Sequence, residues 1–244
     1  MEKEPIVLTI SKVSKRYGKK TVLQPTDIEV KRGKCVVICG GNGAGKSTLI
    51  KIVTGIEKAT SGKVRFHTKE KKEFTYMPDH MNFHSELTPV EVLEYYASFI
   101  GAKKEKIEEV LHIVGLWEHR NRKVGSFSKG MTQRVNLAQT LLSDADLYIL
   151  DEPTNGLDPF WVIQFKRIIE DLLSKGKTVI LSSHIMRDVV EICDEIVILF
   201  EGSVQTSGTL DEIYRETGCS SLEEVFLSMV EDNEQQSEYL AQIN

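Results

Sequence analysis

Residues that could handle a nucleoside triphosphate lie in the glycine-rich run 40–48, where Lys46 and Ser47 follow a cluster of glycines. Glycine lets the backbone take positive φ, so its amides can point inward and cradle phosphate oxygens. A lysine at this spacing reaches the β- and γ-phosphates, and the next hydroxyl can ligate Mg²⁺. The spacing predicts binding of ATP phosphates by Asn42, Gly43, Ala44, Gly45, Lys46, Ser47 and Thr48.

Two carboxylates, Asp151 and Glu152, follow the apolar run 147–150. Such a run predicts a buried strand, and ligands of open α/β sheets bind beyond the carboxyl ends of strands. We expect Asp151 to lie at a Mg²⁺ ion and Glu152 to orient or deprotonate a water. His184 follows another apolar run, 178–181, and could contact the γ-phosphate. Alone, such residues are more often structural, but the phosphate loop favours catalysis.

The elements that must position these residues are visible in the hydrophobic pattern. The run 35–39 predicts a fully buried strand that enters the loop directly, and 48–53 predicts the following helix. The N-terminus of that helix would favour phosphate. Shorter strands are expected at 6–17, 21–30 and 62–66, forming an antiparallel subdomain.

A group of helices is predicted between the phosphate loop and the carboxylates. The segment 88–91, TPVE, is a capping box with proline at the first helical position, which predicts a helix to about residue 100. Apolar residues at 107, 110, 111 and 114 predict the next helix. Ser128 is a good N-cap for a third helix. We expect these helices to form an inserted subdomain over roughly residues 79–142.

The remaining patterns predict secondary structure around this core. The charged run 69–73 is expected to be a solvated loop. A helix is expected directly after His184, then a strand at 195–200 and a turn at 201–202. One apolar stripe should pack on the domain or on a dimer partner, and it consists of Leu222, Val225, Phe226 and Met229.

Composition sets broad limits on function. The chain has 244 residues and a net charge of −5, which predicts one domain over 1–230 and a polar tail over 231–244. The mild acidity argues against broad nucleic-acid binding. The longest apolar stretch, 196–200, is far shorter than the ~20 residues of a membrane helix, and no signal-peptide pattern begins the sequence. We expect a cytosolic protein with reduced cysteines that reaches a membrane only through a partner.

A third segment, residues 127–134 or FSKGMTQR, has no role in most phosphate-loop enzymes. Together with the phosphate loop and the run 147–158, it resembles the nucleotide-binding subunit of ATP-binding-cassette (ABC) ATPases, over about residues 8–210. The resemblance implies an α/β phosphate-loop NTPase (RecA-like) core with a mainly parallel sheet, an antiparallel β-subdomain and an inserted helical subdomain. It also implies a dimer, homomeric or heteromeric, because one subunit cannot build a complete site.

The same resemblance implies roles for individual residues. Tyr17 would stack on adenine, a contact worth about 1–3 kcal/mol. His184 would be the switch histidine, and Asp158 would link the two sites across the dimer. The signature motif, which contacts the γ-phosphate bound to the opposite subunit, corresponds to Ser128, Lys129, Gly130 and Met131.

Four positions depart from the family pattern. Gly41 replaces the usual proline, which should add roughly 0.5–1 kcal/mol of unfolded-state entropy. Lys129 and Met131 replace glycine and glutamine, a familiar variant in bacterial ABC subunits whose membrane partner is a separate chain. Asp79 follows Pro78 where glutamine usually touches Mg²⁺ and the water, and would add a carboxylate near the metal.

The leading interpretation is the ATPase subunit of a bacterial transporter, an exporter, held at the inner face of the membrane by an integral-membrane subunit. The rival interpretation is a soluble ABC protein that acts as a scaffold or assembly factor. Translation-type relatives carry two cassettes and chromosome-type relatives carry long coiled coils, and neither feature is visible. A further, less favoured alternative is copper binding, as in some ABC systems of copper-enzyme maturation, by Met77, Asp79, His80, Met81 and His84.

Overall fold

A computed structural model describes residues 5–67 and 74–231 of the chain. The predicted loop at 69–73 and the polar tail after 231 lie outside the described residues. All four cysteines are free thiols. Within the described ranges, no helix is long and apolar enough to cross a membrane.

The central sheet has six strands in the order β5–β6–β7–β3–β8–β9. Its strands are β3 (Cys35–Cys39), β5 (Thr75–Met77), β6 (Leu147–Leu150), β7 (Thr178–Ser183), β8 (Glu195–Phe200) and β9 (Ser203–Gly208). Neighbours pair in parallel except β8 and β9, which form an antiparallel hairpin. Every residue of β3, β6 and β7 is buried, as expected for strands covered on both faces. The predicted mainly parallel α/β core is confirmed.

A separate antiparallel sheet has the order β2–β1–β4. Its strands are β1 (Ile6–Tyr17), β2 (Lys20–Lys31) and β4 (Ser61–Phe66), close to the predicted bounds. Buried residues of β1 and β2, such as Leu8 and Leu23, share an apolar cluster with Ile38 and Ile149 of the central sheet. This packing brings the β1–β2 hairpin beside the phosphate loop.

Six helices surround or extend the sheets, and residues 222–231 of the described part of the chain are helical as well. The six are α1 (Lys46–Val53), α2 (Pro89–Ile100), α3 (Lys104–Ile113), α4 (Lys129–Leu141), α5 (Pro159–Ser174) and α6 (Leu210–Thr217). The predicted capping box of α2 is present, since Thr88 Oγ1 accepts from the amide of Glu91, whose carboxylate accepts from the amide of Thr88. Leu93, Leu111 and Val135, from α2, α3 and α4, belong to one buried cluster, so these three helices form the expected insertion between β5 and β6.

Two local predictions were wrong. Helix α1 begins at Lys46 rather than at Thr48, because the left-handed Gly45 is its N-cap. The helix expected after His184 is replaced by two short 3₁₀ turns, Met186–Asp188 and Val190–Ile192. Met186, Val189 and Ile192 are buried at a spacing of three residues, which suits 3₁₀ geometry, and β-branched residues weaken the α-helical alternative.

The C-terminal apolar stripe packs on the domain. Leu222 and Val225 are buried, and Phe226 and Met229 pack against the same cluster. The ring of Phe226 meets that of Phe200 edge-on, with centroids 5.8 Å apart. Of the two predicted roles for this stripe, the structure supports packing within the chain.

Candidate functional site

Strand β3 leads into the phosphate loop, where two glycines are required by geometry. A Cβ at Gly40 would lie 2.3 Å from the carbonyl oxygen of Leu199. Gly45 has φ of 103°, and a Cβ there would lie 3.0 Å from the carbonyl oxygen of Val22. A side chain at either position would force the backbone to move. At Gly41, by contrast, a Cβ would make only an ordinary 3.5 Å contact with Phe226.

A cavity of about 220 Å³ lies over this loop. It is lined by residues 42–48 of the loop together with Val22, Asp79, Glu152, Asn155 and His184. Because β3, β6 and β7 are adjacent and parallel, their carboxyl ends meet at one edge of the sheet. The predicted phosphate loop, Glu152, His184 and Asp79 therefore line one space.

Lys46 is buried at the base of this cavity, with 5% of its surface exposed. Its ammonium donates to the carbonyl oxygens of Gly40, at 2.8 Å, and Gly41, at 3.2 Å. It also lies 3.1 Å from Oε1 of Glu152. These contacts hold a desolvated positive charge at the position that the loop would offer to phosphate oxygens.

Asp151 is also buried and accepts two hydroxyl hydrogen bonds. Its Oδ1 accepts hydrogen bonds from Oγ of Ser182 at 2.6 Å and from Oγ of Ser47 at 3.1 Å. Burial raises the pKa of Asp151, the two hydroxyls oppose that rise, and the charges of Asp79 and Glu152 add to it. The oxygen donors of Ser47 and Asp151 thus lie side by side, and hard oxygen ligands are the ones that Mg²⁺ prefers.

Glu152 has a strained backbone that its contacts hold in place. Its φ of 49° lies in the left-handed region, which costs a non-glycine residue of order 1–3 kcal/mol. Its amide donates to Oγ of Ser182 at 2.9 Å, and its carbonyl accepts from the Gln133 side chain at 3.2 Å. Its Oε2 lies 2.7 Å from Nδ1 of His184 and accepts from the His184 amide at 3.3 Å. The carboxylate therefore lies between His184 and Lys46.

Asp79 follows β5 and reaches the same cavity. One carboxylate oxygen accepts from Nδ2 of Asn155 at 3.1 Å, and the other lies 3.2 Å from Nε2 of His80. Its charge raises the pKa of Asp151, so the two carboxylates are electrostatic neighbours. This placement agrees with a third carboxylate near the expected metal position.

The signature residues, 128–131, lie at the N-terminus of α4. Oγ of Ser128 accepts from the amide of Met131 at 3.2 Å, so Ser128 is the N-cap predicted for α4. Gly130 abuts the carbonyl oxygen of Gly156, which a Cβ would approach to 2.7 Å. Asp158 caps α5 by accepting from the amide of Trp161 at 3.0 Å. Neither the signature residues 128–131 nor Asp158 is among the residues that line the cavity described above.

Tyr17 is half-exposed at the end of β1 and is not one of the cavity's lining residues. Its ring centroid lies 4.7 Å from the ammonium of Lys15. Its stacking on adenine stays a prediction.

The residues of the copper alternative have separate surroundings. Met77 is fully buried in β5, and the sulfur of Met81 accepts from the hydroxyl of Tyr96 at 3.8 Å. His80 pairs with Asp79, and Nδ1 of His84 accepts a long, 3.4 Å bond from a backbone amide. Within residues 5–67 and 74–231, no group of three or more His, Cys, Asp or Glu side chains is arranged to hold a metal. This geometry does not favour copper.

Three contributors to the site were not predicted from the sequence: Gln133, Asn155 and Ser182. Ser182 was detectable in principle, because it is a polar residue near the end of an otherwise apolar strand run. Asn155 stands between Glu152 and Asp158, inside a segment already considered functional. Gln133 reaches the site from α4, and its contact depends on tertiary packing alone.

Comparison with known proteins agrees with the geometry. Residues 23–155 match the family model described as ABC transporter. The lantibiotic transport ATP-binding protein SrtF of Streptococcus pyogenes is 34% identical over 229 residues, which cover 92% of this chain and 97% of the relative. The bacitracin transport ATP-binding protein BcrA of Bacillus licheniformis is 37% identical over 208 residues, covering 81% and 68%.

A solved structure described as the ATP-binding subunit of an ABC transporter is 32% identical to this chain. It superposes with a TM-score of 0.83 and covers 92% of this chain and 99% of the other. The chain therefore belongs to the ABC transporter family. Within it, this chain is an ATP-binding and ATP-hydrolysing subunit, and the scaffold alternative is not favoured.

Replacing Asp151 by asparagine should raise the melting temperature of the nucleotide-free, metal-free chain at pH 7. Burial raises the pKa of Asp151 above its unfolded value of about 3.9, so ionisation of this group destabilises the folded state at neutral pH. An asparagine oxygen still accepts from Ser182 and Ser47 without a charge. The gain should disappear as the pH falls through the folded-state pKa toward the unfolded one, because Asp151 is then neutral. Calorimetry of both proteins between pH 7 and pH 4 checks this, and a gain that grows on acidification contradicts it.

Proposed function

We propose that this chain hydrolyses MgATP in a site completed by a second nucleotide-binding subunit, and that it drives export through a separate membrane subunit. The observation that carries the proposal is the Glu152 carboxylate, which lies between Lys46 and His184 above the phosphate loop. The simplest assembly is two copies of this chain, and a related second subunit is the alternative. The chain would work on the cytoplasmic side, bound to the membrane through its partner.

Binding of the triphosphate would depend on the loop and on Lys46. Backbone amides of residues 42–48 would surround the phosphates, with help from the N-terminus of α1. Lys46 would contact the β- and γ-phosphates with the ammonium that now lies 3.1 Å from Glu152. The loss of that ion pair would free the Glu152 carboxylate for the attacking water.

The residues present fit a magnesium ion, because Ser47 and Asp151 already share a hydrogen bond between two oxygen ligands. These two residues would hold the ion, and Asp79 would approach it directly or through a water. When bound, the ion would neutralise charge on the transferring phosphoryl group.

Glu152 would orient the water or accept its proton, and His184 would hold the carboxylate in place. Two contacts support this division of roles: the 2.7 Å contact between the two side chains, and the hydrogen bond that the backbone amide of His184 donates to the Glu152 carboxylate. A positioned general base contributes about 10²–10⁴-fold to the rate. The histidine is also placed to contact the γ-phosphate, since it lines the cavity.

The second subunit would supply the parts that this chain's own cavity lacks. Ser128, the N-cap of α4, and Gly130 are not among the residues that line this cavity, as expected of a motif presented to the opposite nucleotide. Asp158 would link the two sites, and Tyr17 would stack on adenine. Transport, and with it a membrane partner, is supported by the two relatives named for lantibiotic and bacitracin transport.

Co-purification tests the proposal against a soluble scaffold role. The tagged chain is expressed in the organism that encodes it and extracted in mild detergent. It should retain an integral-membrane protein, and it should hydrolyse ATP faster with that protein than alone. Recovery of only soluble partners, with ATP hydrolysis unaffected by membranes, would favour the scaffold role.

Asp79→Ala should weaken the Mg²⁺ dependence of ATP hydrolysis and, more strongly, the stimulation of hydrolysis by the membrane partner. The reason is that Asp79 is an oxygen ligand beside Asp151, at the edge of the cavity. Asp79→Gln, which keeps a polar side-chain oxygen on a stem one methylene longer, should be milder. The measurement is the ATPase rate against Mg²⁺ concentration, with and without partner. If Asp79→Ala matches the wild type in both series, Asp79 is a solvated loop residue.

A further inference from the structure

Asn155 connects two charged residues from distant parts of the chain. Its Nδ2 donates to Oδ1 of Asp79 at 3.1 Å, and its Oδ1 accepts from Nζ of Lys129 at 2.7 Å. Only one orientation of the amide satisfies both contacts, because a carboxylate accepts and an ammonium donates. Asn155 thus lies in a continuous chain of hydrogen bonds that runs from Asp79 to Lys129.

The two ends of this series of hydrogen bonds belong to different parts of the protein. Asp79 lines the nucleotide cavity of its own chain, and Asn155 lines it as well. Lys129 is the first residue of α4 and follows Ser128 directly. The hydrogen-bonded link therefore joins the nucleotide cavity to the signature residues 128–131, which do not line it.

The stem of the Lys129 side chain also packs on the turn that carries Asn155. A Cβ at Gly156 would lie 2.7 Å from Cδ of Lys129, so the lysine stem packs on the Gly156 backbone. The carbonyl oxygen of Gly156 in turn abuts Gly130. The backbone amide of Asn155 donates to the carbonyl oxygen of Glu152 at 3.1 Å. The turn that carries Asn155 and Gly156 therefore begins at Glu152, the proposed base.

We infer that Asn155 is a positioning residue that couples Asp79 in this chain's nucleotide cavity to the start of α4. Contacts made to Asp79 by nucleotide and its metal then change the hold of Asn155 on Lys129. Through that contact they set the orientation in which this chain presents Ser128 to a second copy. The inference rests on the proposed function, since it requires a site shared between two subunits.

The test measures association rather than turnover. The Glu152→Gln variant of the full chain is used as background, and ATP-dependent dimerisation is measured by light scattering. Adding Asn155→Ala should weaken that dimerisation by about tenfold, the size of one charge-assisted hydrogen bond. Binding of a fluorescent ATP analogue to the monomer should weaken by a smaller factor than dimerisation does, because Asn155 lines the cavity but the contacts of loop residues 42–48 stay in place.

A double-mutant cycle between Asp79→Ala and Lys129→Ala tests the coupling with Asn155 intact. The two substitutions break the same chain of bonds, so their combined effect on dimerisation should be smaller than the product of the single effects. Lys175→Ala is the control, since its ammonium pairs with Asp171 on the surface at 2.6 Å and should change nothing.

The outcomes distinguish failure of the proposed function from failure of the inference about Asn155. If the Glu152→Gln background does not associate with ATP, the proposed function fails in its two-copy form, whatever Asn155 does. If the background associates and Asn155→Ala does not weaken it, or if the effects of Asp79→Ala and Lys129→Ala simply multiply, the inference is overturned alone. Loss of analogue binding in folded Asn155→Ala also overturns it, because Asn155 then belongs to the nucleotide contacts. If Asn155→Ala does not fold, the cycle decides.

Discussion

Glu152→Gln will bind ATP but hydrolyse it about 10²–10⁴-fold more slowly than the wild type. Lys46, Ser47 and Asp151 stay available for the nucleotide and its metal, whereas the amide cannot accept a proton from water. Glutamine is nearly isosteric and keeps one oxygen, which can accept from Lys46, while its amide nitrogen takes the place of the carboxylate oxygen that faces His184. The loss should therefore fall on the rate of hydrolysis and leave nucleotide affinity nearly unchanged.

The measurement for this variant is single-turnover hydrolysis alongside equilibrium binding of ATP. Glu191→Gln is a matched control, because Glu191 is an exposed carboxylate paired with Lys166 at 2.8 Å on the surface. That variant should hydrolyse ATP at the wild-type rate. Hydrolysis by Glu152→Gln at the wild-type rate would falsify the role proposed for this carboxylate.

Ser128→Arg will abolish hydrolysis while the isolated chain still binds ATP. Ser128 does not line the cavity of its own chain, so an arginine there leaves the loop contacts intact. The added bulk would instead meet the nucleotide of the opposite subunit and prevent closure. Titration of a fluorescent ATP analogue against the monomeric variant, with a parallel ATPase assay, separates the two effects.

Loss of the helix cap is the main structural confounder for Ser128→Arg, since removing an N-cap costs typically about 1 kcal/mol. Thr209→Arg is the matched control, because Thr209 caps α6 with its side chain in the same way. It should lose a similar amount of stability and keep its ATPase activity. If Ser128→Arg loses nucleotide binding together with hydrolysis, Ser128 belongs to its own chain's site and the shared-site model is wrong.

The sequence was most informative where neighbours along the chain act together. The strands β3, β6 and β7 were predicted because strands buried on both faces give continuous apolar runs. The phosphate loop and the Asp151–Glu152 pair were recognised for a similar reason, because each group lies at the end of such a run. In a parallel sheet those ends share one edge, so the main features of the site follow from local pattern and topology.

Two strands escaped prediction because their patterns are weak. Strand β5 has only three residues, Thr75–Met77, too few to show a period. Strand β9, Ser203–Gly208, is a half-exposed edge strand in which Val204 is the only large apolar residue. Edge strands of this kind depend on pairing with a neighbour, here β8, more than on their own hydrophobicity.

The parts of the site that were missed depend on contacts between distant segments. Gln133 reaches the carbonyl of Glu152 from α4, and Asn155 lies between Asp79 and Lys129. Such contacts arise from tertiary packing, which a single sequence does not encode as a pattern. The positive φ of Glu152 was equally invisible, since the residue type gives no sign of it.

The central claim is that ATP joins two copies of this chain across a shared site, and light scattering on the Glu152→Gln variant tests it most directly. We predict a mass of 27.6 kDa without nucleotide and twice that value with MgATP, reversed when Ser128→Arg is added to the same chain. An unchanged mass on adding MgATP, or a dimer that persists in the double variant, would contradict the account.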